Sequence, residues 1–202
     1  MNPRKNDNVR AFIALELSHD IKQAIADYVA PMRALDKGLS WTKAENVHLT
    51  LKFLGDTPKA QIENVSMALR EVCMNFAPIA AEIFGSGVFS NEHRPRVLWI
   101  GIKESSGKLA ELAQRIESEC RRLGFEKEER GFSPHLTIGR VKAGKAANVV
   151  KAMRESPFPS QQIVFQECTL MQCVLHSAGS IYTPVLKAAF NVRVVNVDEQ
   201  HR

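Results

Sequence analysis

Two segments of the chain carry the same short pattern of polar and apolar side chains. His48-Leu49-Thr50-Leu51 returns 87 residues later as His135-Leu136-Thr137-Ile138, inside the apolar runs VHLTLKFLG and PHLTIGRV. Imidazole titrates near neutrality, so a neutral histidine accepts a proton and a charged one donates it. A threonine hydroxyl donates a hydrogen bond to an oxygen whose negative charge grows or shifts in a transition state. Two such dyads facing one cleft suit a phosphodiester. One imidazole activates water, the other protonates the departing oxygen, and the hydroxyls hold the non-bridging oxygens. Each proton transfer contributes on the order of 10²–10⁴-fold in rate. The scheme uses no metal and no cofactor, and Lys52, Arg130 and Arg140 stand nearby to supply further positive charge.

Chemistry of this kind needs strands to hold it. Alternate side chains of a strand point to opposite faces, so each His shares a face with its Thr. Leu49, Leu51, Leu136 and Ile138 then enter a core. Ahead of the first motif, residues 9–17 read as a buried strand. Ser18 caps a helix with Ile21, Ile25, Tyr28 and Val29 on one face, and Pro31 ends or kinks it. Residues 38–45 form a connection. Thr57 as N-cap and Pro58 as first helical residue open a second helix, with its apolar stripe at Ile62, Val65, Leu69, Val72 and Phe76. A strand follows over 79–89, with a bulge or bend at Gly85 and Gly87, and another over 96–102.

The second half repeats this order. A helix over 106–123 turns Leu109, Leu112, Ile116, Cys120 and Leu123 inward, and Gly124 stops it. The second His strand, a short helix over 146–154 and strands over 163–175 and 185–195 complete the chain. Phe12 precedes His48 by 36 residues, and Trp99 precedes His135 by the same number. Element order and spacing together point to an internal duplication. The 202 residues are expected to form a single domain of two pseudo-symmetric lobes, about 9–90 and 96–195, with exchange of strands between them allowed.

Composition sets outer bounds. Hydrophobic residues at 45% and charged residues at 24% are ordinary for a soluble globular protein. The net charge of +5 leans towards acidic partners, but no basic arm is present and charge alone argues no nucleic-acid binding. Cys73, Cys120, Cys168 and Cys173 form no CxxC pair and read as free, mostly buried thiols of a reducing compartment. MNPRKNDNVR lacks the apolar core of a signal peptide, and no segment is apolar enough to span a membrane. A cytoplasmic monomer is the expectation.

Each residue also has a plainer reading. A zinc site is the main rival for the two histidines, but threonine is a poor zinc ligand and no third ligand repeats beside them. His19, His93 and His201 read as surface residues, and His176 sits at a strand end beside the turn SAGS. Arg130, in the loop ERGFSPH five residues before His135, is either a phosphate clamp or a solvated side chain. Arg140 falls on the face opposite His135 in a regular strand, which gives it a structural or rim role. Lys52 shares the His48 face further along and is either exposed or ligand-binding.

With these residues in place the chain resembles the 2H phosphoesterase superfamily, named for its two His-x-Thr/Ser-x motifs. More narrowly it is similar to the bacterial and archaeal RNA 2′,3′-cyclic phosphodiesterases, historically called 2′-5′ RNA ligases. The segments RAFIALEL, NVHLTLKFLG, RPRVLWIGI, RGFSPHLTIGRV and YTPV carry the likeness. It implies a bilobal, duplicated α+β fold, with two antiparallel β-sheets forming a central cleft and helices packed outside. It further implies metal-independent hydrolysis of a terminal 2′,3′-cyclic phosphate to a 2′-phosphate, on RNA ends or small cyclic-phosphate nucleotides, with ligation through a 2′-5′ bond as the reverse of phosphodiester cleavage. The resemblance makes His48 the proton donor and His135 the proton acceptor. It sets Thr50, Thr137 and Arg130 on the phosphate, and Phe12 and Tyr182 near the cleft, where they stack on a base or pack in the core. The pseudo-symmetric residues alone do not choose between acid and base. Gly139 in place of a commoner alanine, and the divergent turn HSAGSIYTP, bear on nucleotide and RNA-end preference. A different cyclic or 2′-5′-linked substrate, or an RNA-end binding module without turnover, are the competing functions.

Overall fold

Nine strands and four helices are found among the described residues, which are 7–90, 93–142, 146–176 and 179–192 of a computed structural model. In chain order they are β1 (Asn8–Glu16), α1 (His19–Val29), β2 (Leu39–Trp41), β3 (His48–Pro58), α2 (Lys59–Cys73), β4 (Ile79–Phe89), β5 (Val97–Lys103), α3 (Lys108–Arg122), β6 (His135–Val141), α4 (Ala147–Glu155), β7 (Gln161–Phe165), β8 (Glu167–His176) and β9 (Gly179–Ala189). Short 3₁₀ turns at Ala30–Ala34 and Ala44–Asn46 flank β2.

The strands hydrogen-bond in the order β7-β4-β5-β6-β3-β1-β8-β9, with β2 on β6, and all pairings are antiparallel. Two antiparallel sheets are therefore joined into one curled surface. The join is the pair β3–β6, and its register rests on Leu49 opposite Leu136. The strand groups do not follow the two halves of the chain. β4 crosses to the β5–β6–β7 side, whereas β8 and β9 return to β1.

Helices cover one face of the sheet. Ile21 and Ile25 of α1, Val65 and Leu69 of α2, Leu112 and Ile116 of α3, and Val149 and Met153 of α4 bury into one cluster with Ile13, Leu49, Ile100 and Leu136. This apolar burial is what closes the fold. The opposite face carries a smaller cluster of Phe12, Ala14 and Met171, with Tyr182 and Cys173 packed on it. Among the described residues no helix is long and apolar enough to cross a membrane.

Local signals held at most boundaries. Ser18 caps α1 by accepting a hydrogen bond from the Ile21 amide at 3.4 Å. Gly85, at φ +61°, marks a break of register between β4 and β5. Gly87 has no room for a side chain, since a Cβ there would lie 2.4 Å from the Trp99 ring.

Three expectations are corrected. Thr57 does not cap α2: β3 continues to Pro58, Thr57 is fully buried opposite Val9, and its hydroxyl bonds to the Gly55 carbonyl at 3.3 Å. Pairing with β1 keeps the chain extended through Pro58, so the helix starts one residue later than the local signal sets it. The strand expected over 163–175 is two strands, because the chain leaves the β4 edge after Phe165 and pairs with β1 from Thr169. The last strand begins at Gly179 rather than near Val185, since it forms a hairpin with β8 from His176 opposite Gly179. Its end is Ala189, and the expected continuation over 193–195 lies outside the described residues.

Leu136 is fully buried directly at the join. Leu136→Ala is expected to lower the unfolding free energy by about 2–5 kcal/mol, read by urea denaturation. A loss below ~1 kcal/mol would show that the join does not depend on this contact.

Candidate active site

The Leu49–Leu136 pair brings the two motifs side by side on antiparallel strands. Both leucines face the core, so His48 and Thr50 and their counterparts His135 and Thr137 stand together on the helix-free face. All four are half-buried.

Each histidine is held in the same way. His48 Nδ1 lies 2.8 Å from the Asn46 carbonyl oxygen, and His135 Nδ1 lies 2.7 Å from that of Ser133. A carbonyl only accepts, so Nδ1 is the donor in both rings. The neutral tautomer therefore has its lone pair on Nε2. In His48 that nitrogen is 3.0 Å from the Thr50 hydroxyl, which donates to it. Nε2 is thus the working atom of both imidazoles: a base when neutral and an acid when charged.

Aromatic rings wall both sites. Phe12 stacks on His48 with ring centres 4.7 Å apart, and Tyr182 meets His48 edge-on at 5.4 Å. Phe89 meets His135 edge-on at 4.7 Å and leans on Trp99 at 5.6 Å. Phe12 is itself only 3% exposed, so its ring orients the imidazole and has no open face for a base. Tyr182 is half-buried on top of Phe12, 5.0 Å away.

Burial lowers the pKa of His48 below its ordinary 6.5, and the Lys22 charge adds to this, against the hydrogen bond to Asn46 and the charge of Glu16. Glu16 pairs with His48 across β1–β3. Burial pushes the Glu16 carboxyl up, but hydrogen bonds from Thr169 and Lys187 hold it below its usual range and keep it charged.

Bulges change the faces of four flanking residues. In β3, Thr50 pairs with Ala14 but Lys52 pairs with Ile13, so Leu51 is an extra residue and the parity flips beyond it. Lys52 consequently does not share the His48 face. It is 2% exposed on the core side, with Nζ 2.9 Å from Glu117 Oε2 and 2.6 Å from the Glu126 carbonyl oxygen. Phe53 takes the place that parity assigned to Lys52; it is 58% exposed, with its ring 6.3 Å from Phe12. In β6 the extra residue is Ile138: Thr137 pairs with Trp99, and Gly139 with the fully buried Leu98. Arg140 therefore joins the His135 face, which corrects the rim placement expected from a regular strand. Gly139 turns to the core instead, where a Cβ would press on the Trp41 ring at 3.3 Å. Trp41 explains the glycine.

Other sequence candidates are scattered. Arg130 is exposed in the loop before β6. His19 and His176 are exposed at the start of α1 and the end of β8, and His93 is also exposed. His201 lies outside the described residues. All four cysteines are free, and burial pushes the Cys120 thiol up to about 12, which makes it inert. Among the described residues, no group of three or more His, Cys, Asp or Glu side chains is arranged to hold a metal ion. Phe53, Phe89 and Trp99 are the site-face residues that sequence reading missed. The shared lengths of the runs HLTLKF and HLTIGR were the available signal for Phe53 and Arg140.

Fold and site define a bilobal α+β protein with paired His-x-Thr strands at its centre. A family model described as the 2′-5′ RNA ligase superfamily matches residues 20–172, and the chain belongs to that superfamily. A protein of Aquifex aeolicus named RNA 2′,3′-cyclic phosphodiesterase is 34% identical over 88% of this chain and 95% of its own length. One of the same name from Methanothermobacter thermautotrophicus is 30% identical over 87% and 95%. A crystal structure from Thermus thermophilus superposes with a TM-score of 0.76 at 22% identity, covering 91% of this chain and 99% of that one. E. coli LigT complexed with 3′-AMP superposes with a TM-score of 0.72 at 23% identity, over 92% and 99%. These two structures bear on the fold.

The His48 environment has a measurable consequence. Nitrogen NMR is expected to show the Nδ1–H tautomer, with a titration midpoint below 6.5. A depressed folded pKa means that the unfolded chain takes up the proton first as pH falls. Stability contributed here is present above the unfolded value, near 6.5, and is lost as pH drops towards the folded one. A midpoint above 6.5 would contradict this account of His48.

Proposed function

We propose that this chain hydrolyses a terminal 2′,3′-cyclic phosphate on RNA to a 2′-phosphate by paired histidine acid–base catalysis. The observation that carries the reading is the duplicated lock: two imidazoles side by side, each with Nδ1 tied to a carbonyl and Nε2 left for chemistry. The names of the relatives supply the substrate class.

In this reading one neutral Nε2 removes a proton from water as the oxygen attacks phosphorus. The bond from phosphorus to the 3′ oxygen breaks, and the other Nε2–H passes its proton to that oxygen. The products are a 2′-phosphate and a free 3′ hydroxyl. Thr50 and Thr137 donate to the non-bridging oxygens, whose charge changes along the path. Arg130 and Arg140 bring positive charge from the loop and from the bulged strand. With a 5′ hydroxyl in place of water, the same groups form a 2′-5′ bond as the bond from phosphorus to the 3′ oxygen breaks, so ligation belongs to the reading as the reverse of 2′-5′ phosphodiester cleavage.

Family likeness makes His48 the acid and His135 the base. The lowered pKa of His48 favours the opposite assignment, because a buried imidazole is neutral and ready to accept. With His48 as acid, the negative charge of the arriving phosphate must raise its pKa so that Nε2 is protonated.

An oligonucleotide ending in 2′,3′-cyclic phosphate, incubated with chelator, is the direct test. Full conversion to the 2′-phosphate is expected, with kcat lowered by roughly 10²–10⁴-fold in His48→Ala and in His135→Ala. Full activity in either variant sinks the mechanism. The residual pH profile of His48→Ala decides the roles. Loss of the alkaline limb marks His48 as acid, whereas loss of the acidic limb marks it as base.

A further inference from the structure

We infer that Lys52 is a positioning residue for the loop that presents Arg130, and so links the first motif strand to substrate binding beside the second. Lys52 lies on β3, two residues beyond Thr50, and points away from the cleft into the interface with α3. Its ammonium donates to the Glu126 carbonyl at 2.6 Å and pairs with Glu117 Oε2 at 2.9 Å. The other oxygen of Glu117 accepts from the Glu128 amide at 3.3 Å. One buried cation and one carboxylate thus hold the backbone of the loop at two points, two and four residues before Arg130.

The loop has few other restraints. From Glu126 to Gly131 every residue is exposed, and no helix or strand is formed between α3 and β6. Phe125 and Phe132 pack on the core at its two ends. An exposed segment of this length samples many conformations unless its backbone is tied. A lysine is almost never buried without such partners, and this one is buried where the loop needs a tie. The bulge at Leu51 is what turns Lys52 to this side. The same bulge that exposes Phe53 to the cleft therefore also delivers the loop anchor.

The inference rests on the phosphate-holding role proposed for Arg130, and the test separates the two. Lys52→Met/Glu117→Leu replaces the ion pair with apolar side chains of similar size, a change that folded proteins commonly tolerate. It is assayed alone and combined with Arg130→Ala on the cyclic-phosphate oligonucleotide. The expected result is a KM raised about tenfold, the size of one lost charge-assisted contact. The kcat should stay within about twofold, and the combined variant should be no worse than Arg130→Ala alone, since both act through one arginine. Amide hydrogen exchange at residues 126–131 should accelerate whether or not the substrate is turned over. An unchanged KM, effects that multiply with Arg130→Ala, or unchanged exchange overturns the inference. If Arg130→Ala alone leaves KM unchanged, the role of Arg130 falls and the inference with it, while the histidine variants still report on the chemistry.

Discussion

One pairing governs this molecule: Leu49 against Leu136, where two antiparallel strands meet at the middle of the sheet. Equivalent residues of two equivalent motifs stand directly opposite each other, which is the arrangement of a local two-fold axis. The leucines are buried in the core beneath the helices, and parity then sends both His-Thr dyads to the other face. Core packing and active-site geometry are therefore set by the same contact. A slip of one residue in this register would bury four polar side chains and expose four apolar ones.

The histidines illustrate how a backbone prepares a side chain. Both accept a fixed tautomer from a carbonyl two residues upstream, at 2.8 and 2.7 Å. Such a bond places the ring and assigns the proton in one step, with no second carboxylate of the kind used in triads. Around this shared lock the surroundings differ. His48 is stacked on Phe12 and desolvated, whereas His135 meets only the edge of Phe89.

Much of this was legible in the sequence because parity and periodicity are local properties. The two dyads, the buried leucines, the Ser18 cap and the β4 bulge all follow from a few residues read in order. What escaped depends on distant partners. Pairing with β1 overrode the helix-start signal at Thr57-Pro58. The split after Phe165 is decided by two strands from the first half of the chain, β4 and β1. The bulges at Leu51 and Ile138 depend on the register with β1 and β5, and regular alternation through both runs assigned Lys52 and Arg140 to the wrong faces. The equal 36-residue run-ups also do not correspond in register: His48 faces Glu16 and His135 faces Gly101, so the facing residues lie at separations that differ by two.

Symmetry explains the clamp but does not explain a direction, and a reaction has one. The bulges are where direction enters. They occur at the same place in both strands, with the same burial sequence from His48 to Phe53 as from His135 to Arg140. Yet they deliver an exposed aromatic ring beyond Thr50 and an exposed cation beyond Thr137. Because the strands are antiparallel, these two residues lie at opposite ends of the quartet. An apolar end and a positive end distinguish a base from a phosphate. On the proposed function, a substrate at this face meets a symmetric set of imidazoles and hydroxyls through asymmetric surroundings. In the proposed mechanism, those surroundings decide which imidazole faces water and which faces the departing oxygen.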